Sequence, residues 1–263
     1  MDRKIMFFDI DGTLLVENTH TIPESTVAAI RKAREKGHLA FINTGRTFFN
    51  VEDEIKAIGF DGYVCGCGTY IVIDNQVIEA TTIDKATGRN IITLLRKYNL
   101  DAFLEGLEDV YFDSGENSSE EIRNIRTQFA KRGYGIKKNW DSEDLHFDKI
   151  LAKADREEDI EAFKAELGDS FQYIDRGGRI YEIVPAGYSK ATGIKKVLDY
   201  YQLPLANAYV FGDSSNDLPM FEYVPNSIAM GNSDECILNV ASFITKDVRY
   251  DGIAYALKKL RII

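Results

Sequence analysis

Short apolar runs alternate with longer amphipathic stretches over the first third of the chain and again over its last third. Residues 4–10 form an apolar run ending in polar residues, which predicts a buried strand. In residues 23–36, Val27, Ile30 and Ala33 recur at helical spacing before Gly37, which predicts a helix. A strand over 39–42 and a helix over 47–58 are expected next. A strand over 63–65 and a hairpin follow, its arms 71–73 and 77–79 flanking Asp74-Asn75-Gln76. Late in the chain, Ser189 can cap a helix through Ile194, Val197, Leu198 and Tyr201. Strands over 209–211, 228–230 and 243–245 then alternate with helices near 218–223, from Asp234, and over Ile253, Ala256, Leu257 and Leu260. Such alternation predicts an α/β domain with a doubly wound, mainly parallel sheet and right-handed crossovers.

Between 83 and 186 the pattern changes. Helices are expected at 85–98, 120–131 and 157–167, among short strands at 103–104, 110–112, 149–153, 171–174 and 179–184. This reads as an α+β unit inserted into the α/β domain. The expected division is 1–82 and 187–263 for the two parts of one domain and 83–186 for the other. No internal repeat or low-complexity tract interrupts it, and acidic runs such as Glu157-Glu158-Asp159 read as solvated helix faces.

Composition narrows the function classes. A hydrophobic fraction of 44% with 28% charged residues is globular and excludes disorder throughout. The net charge of −10 repels nucleic acid and anionic lipid, so neither is an expected partner. No apolar run approaches the ~18 residues of a membrane span. Asp9 and Asp11 interrupt the N-terminal apolar stretch where a signal-peptide core would be continuous. Cys65, Cys67 and Cys236 are too few, and odd in number, for a disulfide framework. A reducing, cytoplasmic setting is therefore expected.

Four segments carry candidate chemistry. Asp9 and Asp11, in Phe7-Phe8-Asp9-Ile10-Asp11-Gly12-Thr13, stand two residues apart at a strand's end and so point the same way. In an open α/β sheet that end is where ligands bind, and two like charges there call for a hard cation. A turn built on Asp11-Gly12 is the alternative. Asn43-Thr44-Gly45-Arg46 offers a hydroxyl and backbone amides at a strand-to-helix junction, suited to a phosphoryl oxygen or simply to an N-cap. Lys190 follows Tyr188-Ser189 at a helix start, where it can reach an anion, although most lysines are solvated. Phe211-Gly212-Asp213-Ser214-Ser215-Asn216-Asp217 runs from an apolar strand into clustered oxygen ligands suited to magnesium, or into an Asx-rich cap.

In this order the four segments resemble the haloacid dehalogenase superfamily. The wide gap between Thr44 and Lys190, the stretch GDSSNDLPMFEYVPNSIAMGNS and the stretch YEIVPAGYSKATGI are similar to its Cof-like sugar-phosphatase subgroup. The resemblance covers essentially the whole chain and implies a Rossmann-like core with an α+β cap at 83–186. It implies a magnesium-dependent phosphatase acting on small phosphorylated metabolites, sugar phosphates first, through an aspartyl-phosphate. Asp9 would be the nucleophile and Asp11 the general acid and base. Thr44, Gly45, Lys190 and Asn216 would hold the phosphoryl oxygens. Mg2+ would be held by Asp9, the Asp11 carbonyl and Asp213, with Asp217 behind them. A monomer or weak homo-oligomer is expected. Cys67-Gly68-Thr69 departs from the subgroup's usual Asn-Gly-Ala-like turn, and Ala191 stands where glycine is common. Arg176-Gly177-Gly178-Arg179 reads as a hairpin tip whose guanidiniums can face an anion or solvent, and His20, His38 and His146 sit beside no motif.

Three other functions fit parts of the pattern. A phosphomutase of the same superfamily would keep both aspartates but suppress water attack. A silent phosphometabolite-binding regulator would not need every turnover group. A receiver domain would leave the insert unexplained.

Overall fold

Four consecutive apolar residues, Ile5-Met6-Phe7-Phe8, make strand β1 (Ile5–Phe8), buried on both faces as a central parallel strand requires. The computed structural model describes residues 3–16, 18–115 and 118–263. The chain continues through α1 (Glu24–Glu35), β2 (Leu39–Asn43), α2 (Asp53–Lys56), β3 (Gly62–Cys65), β4 (Tyr70–Ile73) and β5 (Gln76–Ala80). Next come α3 (Lys85–Lys97), β6 (Asp101–Glu105), β7 (Val110–Phe112), α4 (Glu120–Lys131), β8 (Lys149–Lys153), α5 (Glu157–Leu167), β9 (Phe171–Asp175) and β10 (Ile180–Pro185). The last part holds α6 (Lys190–Tyr201), β11 (Ala208–Gly212), α7 (Leu218–Tyr223), β12 (Asn226–Ala229), α8 (Glu235–Leu238), β13 (Phe243–Ile244) and α9 (Gly252–Lys259).

The described residues fall into two compact units. One comprises Met1–Arg46, Asn50–Ala80 and Tyr188–Ile263; the other comprises Thr47–Phe49 and Thr81–Gly187. In the first, the sheet order is β13-β12-β11-β1-β2-β3-β4-β5. Strands β13 through β3 are parallel, and β4 and β5 add an antiparallel hairpin. The turn of that hairpin, Asp74-Asn75, has positive φ at both residues (49° and 63°), the conformation that matches strand twist. The α/β architecture with a mainly parallel sheet is thus observed. Among the described residues, no helix is long and apolar enough to cross a membrane.

The second unit is antiparallel, in the order β7-β6-β8-β10-β9. Alternation sends Ala102, Leu104, Ile150 and Ile183 to the face packed with Ile91, Leu95, Ile160 and Phe163 of α3 and α5. Phe103, Val110 and Phe112 point the other way, onto Ile122 and Phe129 of α4. That second face also buries a charge cluster, with Lys149 Nζ 3.0 Å from Glu105 and 3.6 Å from Glu182. Arg176 and Arg179 lie at an exposed hairpin tip.

One expected element does not form. Residues 47–58 are not a single helix: a short 3-10 turn, Phe48–Asn50, and then Asp53–Lys56 are helical. Phe49 is drawn into the second unit, its ring centroid 4.7 Å from Tyr134 and 6.0 Å from Phe129. Arg46 meanwhile takes the Asn50 carbonyl at 3.2 Å, which breaks the helical ladder.

Helix α6 is placed by a capping box, Ser189 Oγ accepting from Thr192 N while Thr192 Oγ1 accepts from Ser189 N. Its Gly193 lies against β3, where a Cβ would stand 2.3 Å from Val64 Cγ1. Gly→Ala inside a helix ordinarily stabilises by about 1 kcal/mol. Here Gly193→Ala is expected to destabilise instead, by about 1–3 kcal/mol of overpacking. Denaturant unfolding of Gly193→Ala, Val64→Ala and the pair checks this: the double variant should be more stable than the summed single losses, since Val64→Ala opens the space.

Candidate active site

Strands β11, β1 and β2 are neighbours in the sheet, so the loops leaving their carboxyl ends meet at one edge. Asp9, the first residue beyond β1, donates its N–H to the Phe211 carbonyl at 3.0 Å, extending the parallel register into the loop. Gly12 has φ +72°, and a Cβ there would lie 2.2 Å from Asp213 Oδ2. Only glycine lets the two acidic loops approach this closely. Thr13 then donates its hydroxyl to Asp213 Oδ1 at 2.6 Å, tying them together.

Lys190, the first residue of α6, is fully buried among these loops. Its Nζ lies 2.8 Å from Asp9 Oδ1, 2.5 Å from Asp217 Oδ1 and 3.4 Å from Asn216 Oδ1. Burial alone would lower its pKa, but Asp217 and Asp9 outweigh that and hold the ammonium above its ordinary range. Asn43, at the end of β2, supports the helix start by donating its amide to the Lys190 carbonyl at 3.2 Å. Asn216 Oδ1 accepts from Lys190 and from the Ser214 hydroxyl, so the donor it can offer an anion is its amide nitrogen.

Asp9, Asp213 and Asp217 are all buried, and each has a carboxylate oxygen within 4.8 Å of the others'. Burial raises Asp9 to about 7; Lys190 pulls it down, while Asp217 and Asp11 push it up. Burial, then Asp9 and Asp217, raise Asp213 to about 8. Two buried carboxyls held this far above their ordinary range are what a divalent cation would relieve, and an all-oxygen donor set suits a hard one. Asp217 differs from the other two. Its Oδ1 accepts from Lys190, and its Oδ2 accepts from Asp213 N and Ser214 N at 2.9 and 3.1 Å. Both of its oxygens are thus committed to orienting Lys190 and the Asp213 loop.

The carboxylate of Asp11 does not join the cluster. Arg46 grips it with two bonds, Nε to Oδ2 at 2.8 Å and Nη2 to Oδ1 at 2.5 Å, while Nη1 reaches Glu52 Oε2 at 2.5 Å. Thr44 is buried, its Oγ1 accepting from Arg46 N at 3.1 Å and its carbonyl from Cys67 N at 3.1 Å; Gly45 lies between them. Arg46 and Thr13 stand inside the motifs, yet the sequence pattern assigns neither a role. A cation directly after Thr44-Gly45 and a hydroxyl directly after Gly12 were the available signals. Cys65 and Cys67 are buried and unbridged. Cys67 adopts φ 56°, a left-handed conformation that asparagine, usual in the resembling subgroup, takes more readily.

The family model of the haloacid dehalogenase-like hydrolases matches residues 6–257. The chain is 32% identical over 271 aligned positions, covering all of both chains, to YkrA of Bacillus subtilis (strain 168), which carries a provisional phosphatase name. It is 28% identical to YitU of the same organism, named a 5-amino-6-(5-phospho-D-ribitylamino)uracil phosphatase, over 97% of this chain and 96% of that one. Among solved structures, the HAD subclass IIB sugar phosphatase BT4131 shares the fold with a TM-score of 0.85 at 24% identity, over 99% and 100% of the two chains.

Asp9 and Asp213 stand above their unfolded values, so their contribution to the stability of the metal-free protein is complete only below about pH 4 and is lost as pH rises through about 7 to 8. A cation binds the ionised pair. The gain in Tm on adding Mg2+ is therefore expected to grow from about pH 6 to about pH 8. A gain that stays flat across that range would mean that these carboxyls do not meet the cation.

Proposed function

Because the chain belongs to the haloacid dehalogenase-like hydrolase family and is a phosphatase, we infer that it hydrolyses small phosphate monoesters, sugar phosphates first, with Mg2+ and through an aspartyl-phosphate on Asp9. The observation that carries this reading is the Asp9 carboxylate, buried at the carboxyl end of β1 and held by the Lys190 ammonium at 2.8 Å. The sugar-phosphate class draws on two similar proteins. YitU's named substrate carries its phosphate on a ribityl chain, and BT4131 is named a sugar phosphatase.

Asp9 and Asp213 would hold Mg2+ together with the Asp11 backbone carbonyl, with Asp217 behind them. The ion would supply positive charge between an anionic nucleophile and a dianionic ester. Asp9 attacks phosphorus in line; its O–P bond forms as the bond to the leaving oxygen breaks. Asp11 gives that oxygen its proton, then takes one from the water that cleaves the aspartyl-phosphate, releasing phosphate and restoring Asp9. Thr44, the Gly45 amide, Lys190 and the Asn216 amide bind the phosphoryl oxygens, where charge develops. Arg46 bonds both oxygens of Asp11, whose ionised form is the base of the second half-reaction. Before the first, Asp11 has to leave Arg46 and take up a proton. The inserted 83–186 unit would act as the cap that sets substrate choice and excludes water.

Release of phosphate from a panel of phosphorylated metabolites, with Mg2+ and with EDTA, tests the reading. Sugar phosphates should head the ranking and EDTA should abolish it. Asp9→Asn has the same size but no nucleophilic oxyanion, so turnover should vanish in a folded protein; full activity on an aryl phosphate would rule out covalent catalysis. Asp11→Asn should cost about 10²–10⁴-fold on a sugar phosphate. Its loss on an aryl phosphate with a good leaving group should be much smaller, and equal losses would remove Asp11 from the acid role.

A further inference from the structure

The turn that follows β12 lies outside both acidic loops yet bonds to each of them. Asn232 Nδ2 donates to the Gly12 carbonyl at 2.8 Å, and Asn232 Oδ1 accepts from Val248 N at 3.0 Å, so the side-chain amide is held at both ends. One residue on, the Ser233 hydroxyl donates to the Gly212 carbonyl at 3.3 Å. The next, Asp234, donates its N–H to the Asp213 carbonyl at 2.8 Å. Three successive residues thereby hold the carbonyls of Gly12, Gly212 and Asp213. The turn is itself fixed from behind: a Cβ on Gly231 would stand 2.5 Å from Asp247 N, so only glycine lets the chain pass there.

Asn232 is the member of this turn that reaches across to the β1 loop. Its donor sets the plane of the Gly12–Thr13 peptide, and Thr13 is the residue whose hydroxyl holds Asp213 Oδ1. Asp9 and Asp213 are both buried, each with a carboxylate oxygen within 4.8 Å of the other's. Groups that keep such ligands at fixed spacing lessen the reorganisation needed when a cation arrives, the role that outer hydrogen-bond partners play at metal sites. The amide is suited to this where a carboxylate is not, because an aspartate would set an anion against the Gly12 carbonyl oxygen. We propose that Asn232 is a positioning residue for the divalent cation, setting its affinity by clamping the β1 loop to the β11 loop. This rests on the reading of Asp9 and Asp213 as cation ligands.

The test is the Mg2+ Kd of the full chain, by calorimetry, for the parent, Asn232→Ala and Asn232→Asp, beside the Tm of each in EDTA. Loss of an outer partner should raise Kd about 10- to 100-fold. A brace that served folding alone would lower the Tm in EDTA and leave Kd where it was. Ser25→Ala, which removes an exposed bond to Asp251, is the matched control and should leave Kd unchanged. Parent-like Kd in either folded Asn232 variant overturns the proposal. If Asn232→Ala does not fold, Asn232→Asp, with the same shape, carries the same expectation and the same overturning result. A parent that binds no Mg2+ overturns the cation-centre reading and this proposal with it, whereas a parent that binds and a variant that binds equally overturns this proposal alone.

Discussion

The Lys190 ammonium is buried between Asp9 and Asp217, and the rest of the site is arranged around that charge. Three carboxylates sit at one end of a sheet with almost no solvent to screen them. Taking such groups out of water costs several kcal/mol each unless opposite charge and hydrogen bonds compensate. One lysine accounts for part of the compensation, backbone amides from the Asp213 loop for another part, and the remaining imbalance shows as the raised carboxyls of Asp9 and Asp213. Under the proposed function, a divalent cation would offset that imbalance.

Holding the charges in register requires close backbone approach. Gly12 leaves room for Asp213, and Gly212 leaves room for Asp217, whose carboxyl carbon would lie 2.6 Å from a Cβ there. The acidic residues then divide the work by geometry. Asp217 uses both oxygens on neighbours inside the protein. Asp11, with its side chain 43% exposed, faces Arg46 instead of the buried cluster.

The inserted unit keeps its own apolar layers on the two faces of its sheet, which is why the change in sequence pattern near residue 83 is sharp. It also recruits a piece of chain from far outside that range. Phe49 packs among Phe129 and Tyr134, and the Thr47 hydroxyl lies 3.4 Å from Glu105. The segment just after Thr44-Gly45-Arg46 therefore belongs by its packing to the second unit.

Periodicity alone determined most of the elements of this protein, because apolar parallel strands and capped amphipathic helices leave local signatures that neighbours reinforce. Asp9, Thr44, Lys190 and Asp213 were legible for a related reason: each sits where a strand ends or a helix begins, so its place in the order of elements already implied the same sheet edge. What tertiary structure decided lies in contacts between distant segments. Residues 47–58 have a helical pattern, yet Phe49 finds a better burial elsewhere and the helix breaks. Arg46 could not be read as the partner of Asp11 and Glu52, nor Asn232 as the brace on Gly12, since hydrogen-bond pairing across folded loops leaves no period in the chain. The shift of the carboxyls is likewise a property of burial and mutual distance, which exist only once the three loops have been brought together.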